Sequence, residues 1–218
     1  MKNFACLILA AGKGTRMNSD MPKVLHKLWG KPMVDYILDA AVKAGVKNIV
    51  VVAGHKFELL KKHLAGKPKT KNQKPKIVLV RQKRLLGSGD AVISAKNALA
   101  KAKDILILYA DAPLLKPETI KALIKEYTRS AAALTMLTAV KKDPFGYGRI
   151  NRGIGDNIEG IIEEIDATES ERSIKEVNAG VYCCNAKELW RALKKVKADN
   201  RKKEYYLTSI IGILAREG

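Results

Sequence analysis

The stretch Leu7-Ile-Leu-Ala-Ala-Gly-Lys-Gly-Thr-Arg-Met17 joins an apolar run to a glycine-rich turn that carries two cations. The seven residues Phe4–Ala10 are uniformly apolar and predict a strand buried on both faces. A short apolar run this close to the amino terminus has the outline of a signal peptide. The glycine turn follows it directly, however, which favours the strand. Gly12 and Gly14 lack Cβ, so the backbone there can turn tightly and present N–H groups to anionic oxygens. Lys13, Arg16 and Lys23 bring three cations within eleven residues of one another. Neither the dinucleotide fingerprint Gly-x-Gly-x-x-Gly nor the Walker pattern Gly-x4-Gly-Lys-Ser/Thr is present. Taken alone, Gly12-Lys-Gly14 reads equally well as a structural turn or as a phosphate cradle.

Outward from this loop, short apolar runs alternate with helical patterns. Pro32 opens a helix over Met33–Ala44 that Gly45 closes, and Asn48–Ala53 reads as a second apolar strand. A helix over Lys56–Leu64, a strand at Ile77–Val80 and a long helix over Ser88–Lys103 follow. Next come a strand at Ile105–Ala110 and a helix over Pro117–Arg129. Strands apolar on both faces and separated by helices predict a parallel sheet covered on both sides. The last third is different: Ala131–Val140, Gly148–Asn151, Ile158–Glu164 and Val177–Asn185 are strand-like, and helices near Ala186–Lys194 and Tyr205–Arg216 close the chain. The predicted fold class is therefore α/β: a Rossmann-like, three-layer α/β/α body with a mostly parallel, mixed central sheet. The late strands would build a substrate lid on it. Residues 67–76, with five lysines and two prolines between Lys67 and Lys76, read as a solvated loop.

Composition narrows the class. A chain of 218 residues is long enough for one well-buried domain, and 47% hydrophobic content fits a globular protein. No apolar run approaches the roughly 20 residues that span a bilayer, so no membrane partner is expected. Cys6, Cys183 and Cys184 lie in apolar segments without metal-type spacing, which predicts reduced core thiols and a cytoplasmic setting. The 41 Lys plus Arg against 22 Asp plus Glu give +19, which favours an anionic partner. No helix-turn-helix pattern, ribonucleoprotein motif or aromatic-interleaved basic segment accompanies that charge, so nucleic acid is not expected as a partner on charge alone, and lysines that decorate solvent-facing helices account for it equally.

The longer string Leu9-Ala-Ala-Gly-Lys-Gly-Thr-Arg-Met17, with Pro22-Lys-Val-Leu25 and Gly30-Lys-Pro-Met33, resembles the sugar-nucleotide pyrophosphorylases. The ordered blocks Gln82…Leu86-Gly-Ser-Gly89, Tyr109-Ala-Asp111-x-Pro-Leu-Leu115 and Gly146-Tyr-Gly-Arg-Ile150 extend the resemblance. Gly160-Ile-Ile-Glu163, Asp166-Ala-Thr168, Glu176-Val-Asn-Ala-Gly180 and Glu204-Tyr-Tyr-Leu-Thr208 carry it almost to the carboxyl end. Within that family the pattern is most similar to the uridyltransferase domain of the GlmU enzymes, and the hexapeptide repeats of a left-handed β-helix are absent from this sequence. The resemblance implies a nucleotide-diphospho-sugar transferase fold in one nucleotidyltransferase domain over 1–218, with the sugar-binding part mainly in 131–185.

It also implies roles. Backbone groups of Ala10, Ala11, Gly12 and Gly14 would hold base and phosphates. Arg16 would bind the leaving pyrophosphate, and Lys23 would steady the α-phosphate and the incoming sugar phosphate. Gln82, with Gly87 and Ser88, would read the pyrimidine edge, since a carboxamide can both donate and accept; Ser88 could also serve as the helix N-cap. Leu85 stands where the family commonly has a second Gln. Asp111, just past an apolar strand, would ligate Mg²⁺. Tyr109, Gly148, Glu163 and Asn178 would line the sugar pocket, where Ile165 and Ala179 replace usually polar residues. The family's second metal ligand, an Asn or Asp, falls beyond Gly218, where this sequence ends.

The expected function is an Mg²⁺-dependent transferase that makes a UDP-sugar, UDP-N-acetylglucosamine foremost, from UTP and a sugar 1-phosphate with release of pyrophosphate. A different nucleotide or sugar 1-phosphate, such as glucose 1-phosphate, and a non-catalytic nucleotide-sugar binder are the alternatives. A monomer or weak homodimer is expected.

Overall fold

The computed structural model describes residues 4–14, 17–66 and 75–217. Among these residues the chain forms strands β1 (Phe4–Ala10), β2 (Lys27–Leu28), β3 (Lys31–Pro32), β4 (Asn48–Ala53), β5 (Lys76–Arg81) and β6 (Asp104–Tyr109). They are followed by β7 (Leu134–Val140), β8 (Arg149–Arg152), β9 (Ile158–Ile162) and β10 (Glu176–Asn185). The helices are α1 (Met33–Lys43), α2 (Phe57–Ala65), α3 (Ser88–Ser94), α4 (Pro117–Ser130), α5 (Glu169–Arg172), α6 (Ala186–Leu193) and α7 (Ser209–Glu217).

Strands β5, β4, β1 and β6 lie side by side and parallel, as their apolar sequences predict. Alternation along each strand splits its side chains between two cores. Leu7, Leu9, Val50, Val52, Ile105 and Ile107 pack under α3, α6 and α7. Cys6, Ile8, Ile49, Val51, Leu106 and Leu108 pack under α1, α2 and α4. These strand residues are at most 7% exposed, and each fully buried aliphatic side chain contributes about 1.5–3 kcal/mol. The three-layer α/β/α arrangement follows from this two-sided burial. The three cysteines are free and buried among these cores, and burial pushes the Cys183 thiol up to about 12.

Strand β10 joins the body to the last third. Along one edge it pairs β7 from Glu176 to Cys184. Along the other, its carboxyl half meets β6 and Val177 meets Arg149 of β8, all antiparallel. A bulge between Asn178 and Tyr182 separates the two halves, with Gly180 at φ +71°. The late strands are thus part of one mixed sheet rather than a separate lid, with β9 continuing it beyond β8.

Several boundaries differ from the sequence expectation for local reasons. The helix expected over Ser88–Lys103 stops at Ser94, and i→i+3 bonds such as Ala102 N to Leu99 O carry the chain onward as turns. The strand expected from Ala131 begins at Leu134, because α4 runs to Ser130 and Ala131 takes a left-handed φ of +52°. The strand expected to Glu164 ends at Ile162, since Glu163 O accepts from Asp166 N and Ala167 N in a turn. The helix expected from Tyr205 begins at Ser209, because the backbone of Tyr205 is bonded elsewhere. Gly45 does close α1, at φ +94°. No helix among the described residues is long and apolar enough to cross a membrane.

Ile107 sits wholly buried on β6 between β1 and β10, paired with Leu7 and Tyr182. Ile107→Ala should lower the unfolding free energy by about 2–5 kcal/mol, read from urea midpoints at constant slope.

Candidate active site at the carboxyl ends of the parallel strands

The chain runs from β1 outward through β4 to β5, then returns to the other side of β1 as β6. That reversal opens a crevice at the carboxyl ends of β1 and β6, where ligands bind in open α/β sheets. A cavity of about 600 Å³ lies there. Ala10, Ala11, Gly12 and Gly14 reach it from the end of β1, and Tyr109 and Asp111 from the end of β6. Lys23 enters from a 3₁₀ turn at Lys23–Leu25, and Gln82, Gly87 and Ser88 close the far side. The structure therefore gathers every predicted nucleotide-binding residue, the metal candidate and one of the two catalytic candidates around a single cavity. Arg16, the other catalytic candidate, lies outside the described residues, as do residues 67–74 of the lysine-rich loop.

The phosphate end is built by close approach. Gly14 has φ +62°, and a Cβ there would lie 2.7 Å from the Lys23 Cβ. The glycine thus lets the Lys23 stem pass against the loop. Lys23 Nζ donates to Asp111 Oδ2 at 2.7 Å, with about a third of each side chain exposed. The Gly14 carbonyl accepts from Met17 N, and the Ala11 carbonyl from His55 N. The Gly12 and Gly14 amides make no backbone bond to described residues. Asp111 is one carboxylate beside a phosphate-type loop, a donor set suited to Mg²⁺, which binds through one or two carboxylates plus phosphate oxygens. No cluster of three metal-ligating side chains occurs among the described residues.

The far side of the cavity differs from expectation in two respects. Gln82 is 4% exposed and its amide nitrogen donates to Asp90 Oδ2 at 2.7 Å and Gly87 O at 3.1 Å, so its donor side is already used. The N-cap of α3 is Gly87, not Ser88; Ser88 Oγ instead accepts from Leu207 N at 2.9 Å. Gly87, at φ +112°, is required by backbone contact, since a Cβ would lie 2.5 Å from Tyr205 O. Leu85 seats its side chain where a Cβ on Gly54 would stand 2.3 Å away, forming an apolar wall of the cavity.

Of the four sugar candidates only Tyr109 lines the cavity; Gly148, Glu163 and Asn178 do not. A Cβ on Gly148 would lie 3.6 Å from Glu163 Oε2, so these two are neighbours. Glu163 Oε1 accepts from Thr208 Oγ1 at 2.7 Å. Asn178 donates to the Tyr182 hydroxyl at 2.7 Å and accepts from Gly180 N at 2.9 Å, which pins the β10 bulge against the Tyr109 ring. Burial, and then the Glu163 carboxylate, hold the Tyr109 hydroxyl well above the usual phenol range. These groups form a second cluster joined to the cavity through Tyr109.

Two features were not read from the sequence. The first is a strap over Asn200–Thr208 that brings Lys202 and Glu204 to the cavity. Tyr205 N donates to Leu86 O and Gly89 N donates to Tyr205 O, both at 2.7 Å. The strap thereby ties the Leu86–Gly89 loop to Glu163 through Thr208. Its block Glu204-Tyr-Tyr-Leu-Thr208 was visible in the sequence, but nothing local marks its partner 119 positions away at Ser88. The second is Arg149, only 1% exposed, paired with Glu164 at 2.8 Å and donating to the carbonyls of Tyr147 and Arg172. Glu164 also accepts from Gly146 N at 3.0 Å. That amide first, and Arg149 second, hold the Glu164 carboxyl below its usual range.

Gly87→Ala should lower stability by about 1–3 kcal/mol and loosen the strap, seen as faster amide exchange over Tyr205–Leu207. Because the folded carboxyl of Glu164 titrates below its unfolded value, its stabilising contribution is present above the ordinary carboxylate range. It is lost as pH falls through the depressed value. The stability gap between the native chain and Glu164→Gln should therefore narrow from neutral pH toward about pH 3.

The family model described as the MobA-like NTP transferase domain matches residues 6–209. The chain is 43% identical over 219 residues to the bifunctional protein GlmU of Geobacter metallireducens, covering 100% of this chain and 44% of that protein. It is 45% identical over 212 residues to GlmU of Geobacter sulfurreducens, covering 97% and 43%, and 42% identical over 218 residues to GlmU of Bacillus subtilis, covering 100% and 46%. The chain thus spans less than half the length of these relatives. In three dimensions it superposes on a UDP-glucose pyrophosphorylase solved with UDP-glucose at a TM-score of 0.81 and 20% identity, covering 98% of this chain and 87% of that one. With the glycine loop, Lys23, Gln82 and Asp111 gathered at the switch point of the sheet, and with the family model matched across nearly its whole length, this chain belongs to the MobA-like NTP transferase family.

Proposed function

We propose that the chain is a nucleotidyltransferase domain that transfers a uridylyl group from UTP to a sugar 1-phosphate, N-acetylglucosamine 1-phosphate first among them, and releases pyrophosphate. The observation that carries this reading is the single cavity in which a glycine loop, a lysine, a carboxylate and a base-facing carboxamide converge. Extensive identity with the GlmU proteins supports the choice of sugar. The fold of a UDP-glucose pyrophosphorylase supports the nucleotide class.

In this reading the chain holds and orients, and the substrates react. An oxygen of the sugar phosphate attacks the α-phosphorus in line; the new P–O bond forms as the bond to the β-phosphate breaks, and pyrophosphate leaves with the electron pair. No protein nucleophile is needed. Charge grows on non-bridging oxygens, so preorganised donors stabilise the transition state more than the ground state. The Gly12 and Gly14 amides and Lys13 face the phosphates, Arg16 keeps the role the family resemblance gives it, binding the leaving pyrophosphate, and Lys23 turns from Asp111 to the α-phosphate when substrate arrives. Mg²⁺ held by Asp111 and phosphate oxygens would supply further charge neutralisation. Gln82, Gly87 and Ser88 take the base, with Leu85 against its face. Tyr109, Gly148, Glu163 and Asn178 form the sugar side, where the Gly148 amide and the Glu163 carboxylate offer opposite hydrogen-bonding characters to an N-acetylated sugar. The protein would act in the cytoplasm as a monomer or weak homodimer, with 1–218 as one domain.

The test is pyrophosphate release across four nucleoside triphosphates and a panel of sugar 1-phosphates, with and without Mg²⁺. Turnover should be highest with UTP and N-acetylglucosamine 1-phosphate and should require Mg²⁺. Turnover confined to dTTP and glucose 1-phosphate would replace the substrates, and none with any pair would leave a binder only. Lys23→Ala and Asp111→Ala should each lower kcat roughly 10²–10³-fold with the fold retained by circular dichroism.

A further inference from the structure

We infer that Asp90 sets the base selectivity of the cavity by fixing which pole of the Gln82 carboxamide faces the ligand. The inference rests on the cavity being a nucleoside triphosphate site, and it adds a residue that the base-reading set Gln82, Gly87 and Ser88 did not include.

A carboxamide has one donor pole and one acceptor pole of nearly equal shape, so its neighbours decide which way it points. Gln82 emerges just past β5 and is almost wholly buried. Two groups converge on one end of its side chain, Asp90 Oδ2 at 2.7 Å and Gly87 O at 3.1 Å. Both are acceptors, a carboxylate and a carbonyl, so the amide nitrogen has to face them. The opposite pole, Oε1, accepts no hydrogen bond from any described residue. It is not sealed in the core either: the fully buried side-chain polar atom lacking a partner among the described residues is His26 Nε2. Gln82 lines the cavity, so Oε1 is the pole it presents there.

Of the two restraints Asp90 is the stronger. Its bond is shorter and charge-assisted, whereas that of Gly87 O is between neutral groups. Asp90 is itself fixed in the first turn of α3, whose N-terminus favours a carboxylate. An inverted carboxamide would set oxygen against oxygen at 2.7 Å.

The consequence is a one-way reader. A presented acceptor pairs with a base whose ring edge carries an N–H, as N3 of uracil and thymine does. Cytosine offers a lone pair at N3, so a carboxamide oxygen aimed at that position would meet a second acceptor, and cytosine would have to shift to offer its 4-amino group instead. Asp90 thereby disfavours cytosine without touching the nucleotide, by repulsion rather than attraction. Uracil and thymine present the same edge, so Asp90 does not separate UTP from dTTP.

The experiment measures UTP, dTTP and CTP binding to the whole chain by calorimetry with Mg²⁺ present, so that it does not depend on turnover. The native chain should prefer UTP over CTP and bind dTTP through the same edge. Asp90→Ala should shrink the UTP-to-CTP affinity ratio by about tenfold or more, chiefly through a gain in CTP binding, because the carboxamide can then invert. Asp90→Asn, whose side chain can donate as well as accept, should give an intermediate ratio, and thermal unfolding should report all variants folded. Equal weakening of all three nucleotides in both variants would show a merely structural residue and overturn the inference. So would an unchanged ratio in Asp90→Ala alongside a collapsed ratio in Gln82→Ala, which leaves the base reading by Gln82 standing. A native chain that binds CTP as well as UTP would overturn the inference. One that binds no nucleotide would overturn the underlying reading as well.

Discussion

Two-sided burial of β1 and β6 is the constraint on which the rest depends. Their side chains alternate between two helical cores, so neither strand has a face left for chemistry. What remains accessible is their ends, where the backbone must leave the sheet. At the end of β1 the chain turns through Gly12-Lys-Gly14, and at the end of β6 it turns through Ala110 and Asp111. Because the connections lead away from β1 in opposite directions, these two turns stand apart and a cavity opens between them. The electrostatics follow from that placement: the glycine loop, Lys23 and Asp111 share one water-accessible site backed by a dry sheet, where fixed charges act more strongly than in bulk water.

The second organising element is β10, which pairs three strands by dividing one of its edges. Its bulge at Gly180 is held by Asn178 and presses on Tyr109, so the Glu163–Asn178 cluster and the cavity share a single ring as their boundary. The strap over Asn200–Thr208 closes the circuit from the other side. Its backbone bonds to Leu86 and Gly89 and its Thr208 bond to Glu163 tie the loop before α3 and the Glu163 cluster to one segment. Buried, hydrogen-bonded connections of this kind are costly to break singly, and they hold the side chains around the cavity in place. The Arg149–Glu164 pair does the same for the Gly146–Gly148 loop, with the desolvated guanidinium offset by several acceptors.

Much of this was legible in the sequence. The strands of the body were visible because residues buried on both faces leave an unbroken apolar run, as Asn48–Ala53 and Ile105–Ala110 do. The helix ends at Pro32, Gly45 and Pro117 were visible because proline and glycine act on the backbone locally. The residues around the cavity were recognisable as ordered blocks, and the sheet gathers them as that order implied. Where the expectation failed, the deciding partner was remote. Tyr205 and Tyr206 look helical on their own, yet Leu86 and Gly89 claim the Tyr205 backbone, so α7 waits until Ser209. Ser88 looks like an N-cap, yet its hydroxyl serves Leu207.

The sequence alone determined the α/β class, the phosphate-type loop and the residue types available for nucleotidyl transfer, because those depend on local backbone chemistry and on period-two burial. Only the tertiary structure decided what each polar group has left to offer. Gln82 in the sequence is a donor and an acceptor; folded, its donors are spent on Asp90 and Gly87, and it faces the cavity as an acceptor. Asp111 in the sequence is a lone carboxylate; folded, it is Lys23's partner across 88 positions of chain. Hydrogen-bonding capacity is finite and is consumed by whichever neighbour the fold brings near, and that neighbour is set by strand order and loop packing rather than by sequence distance. The glycine loop announces that an anion can be held, and the packing around it decides which polar groups are left to face what enters the cavity.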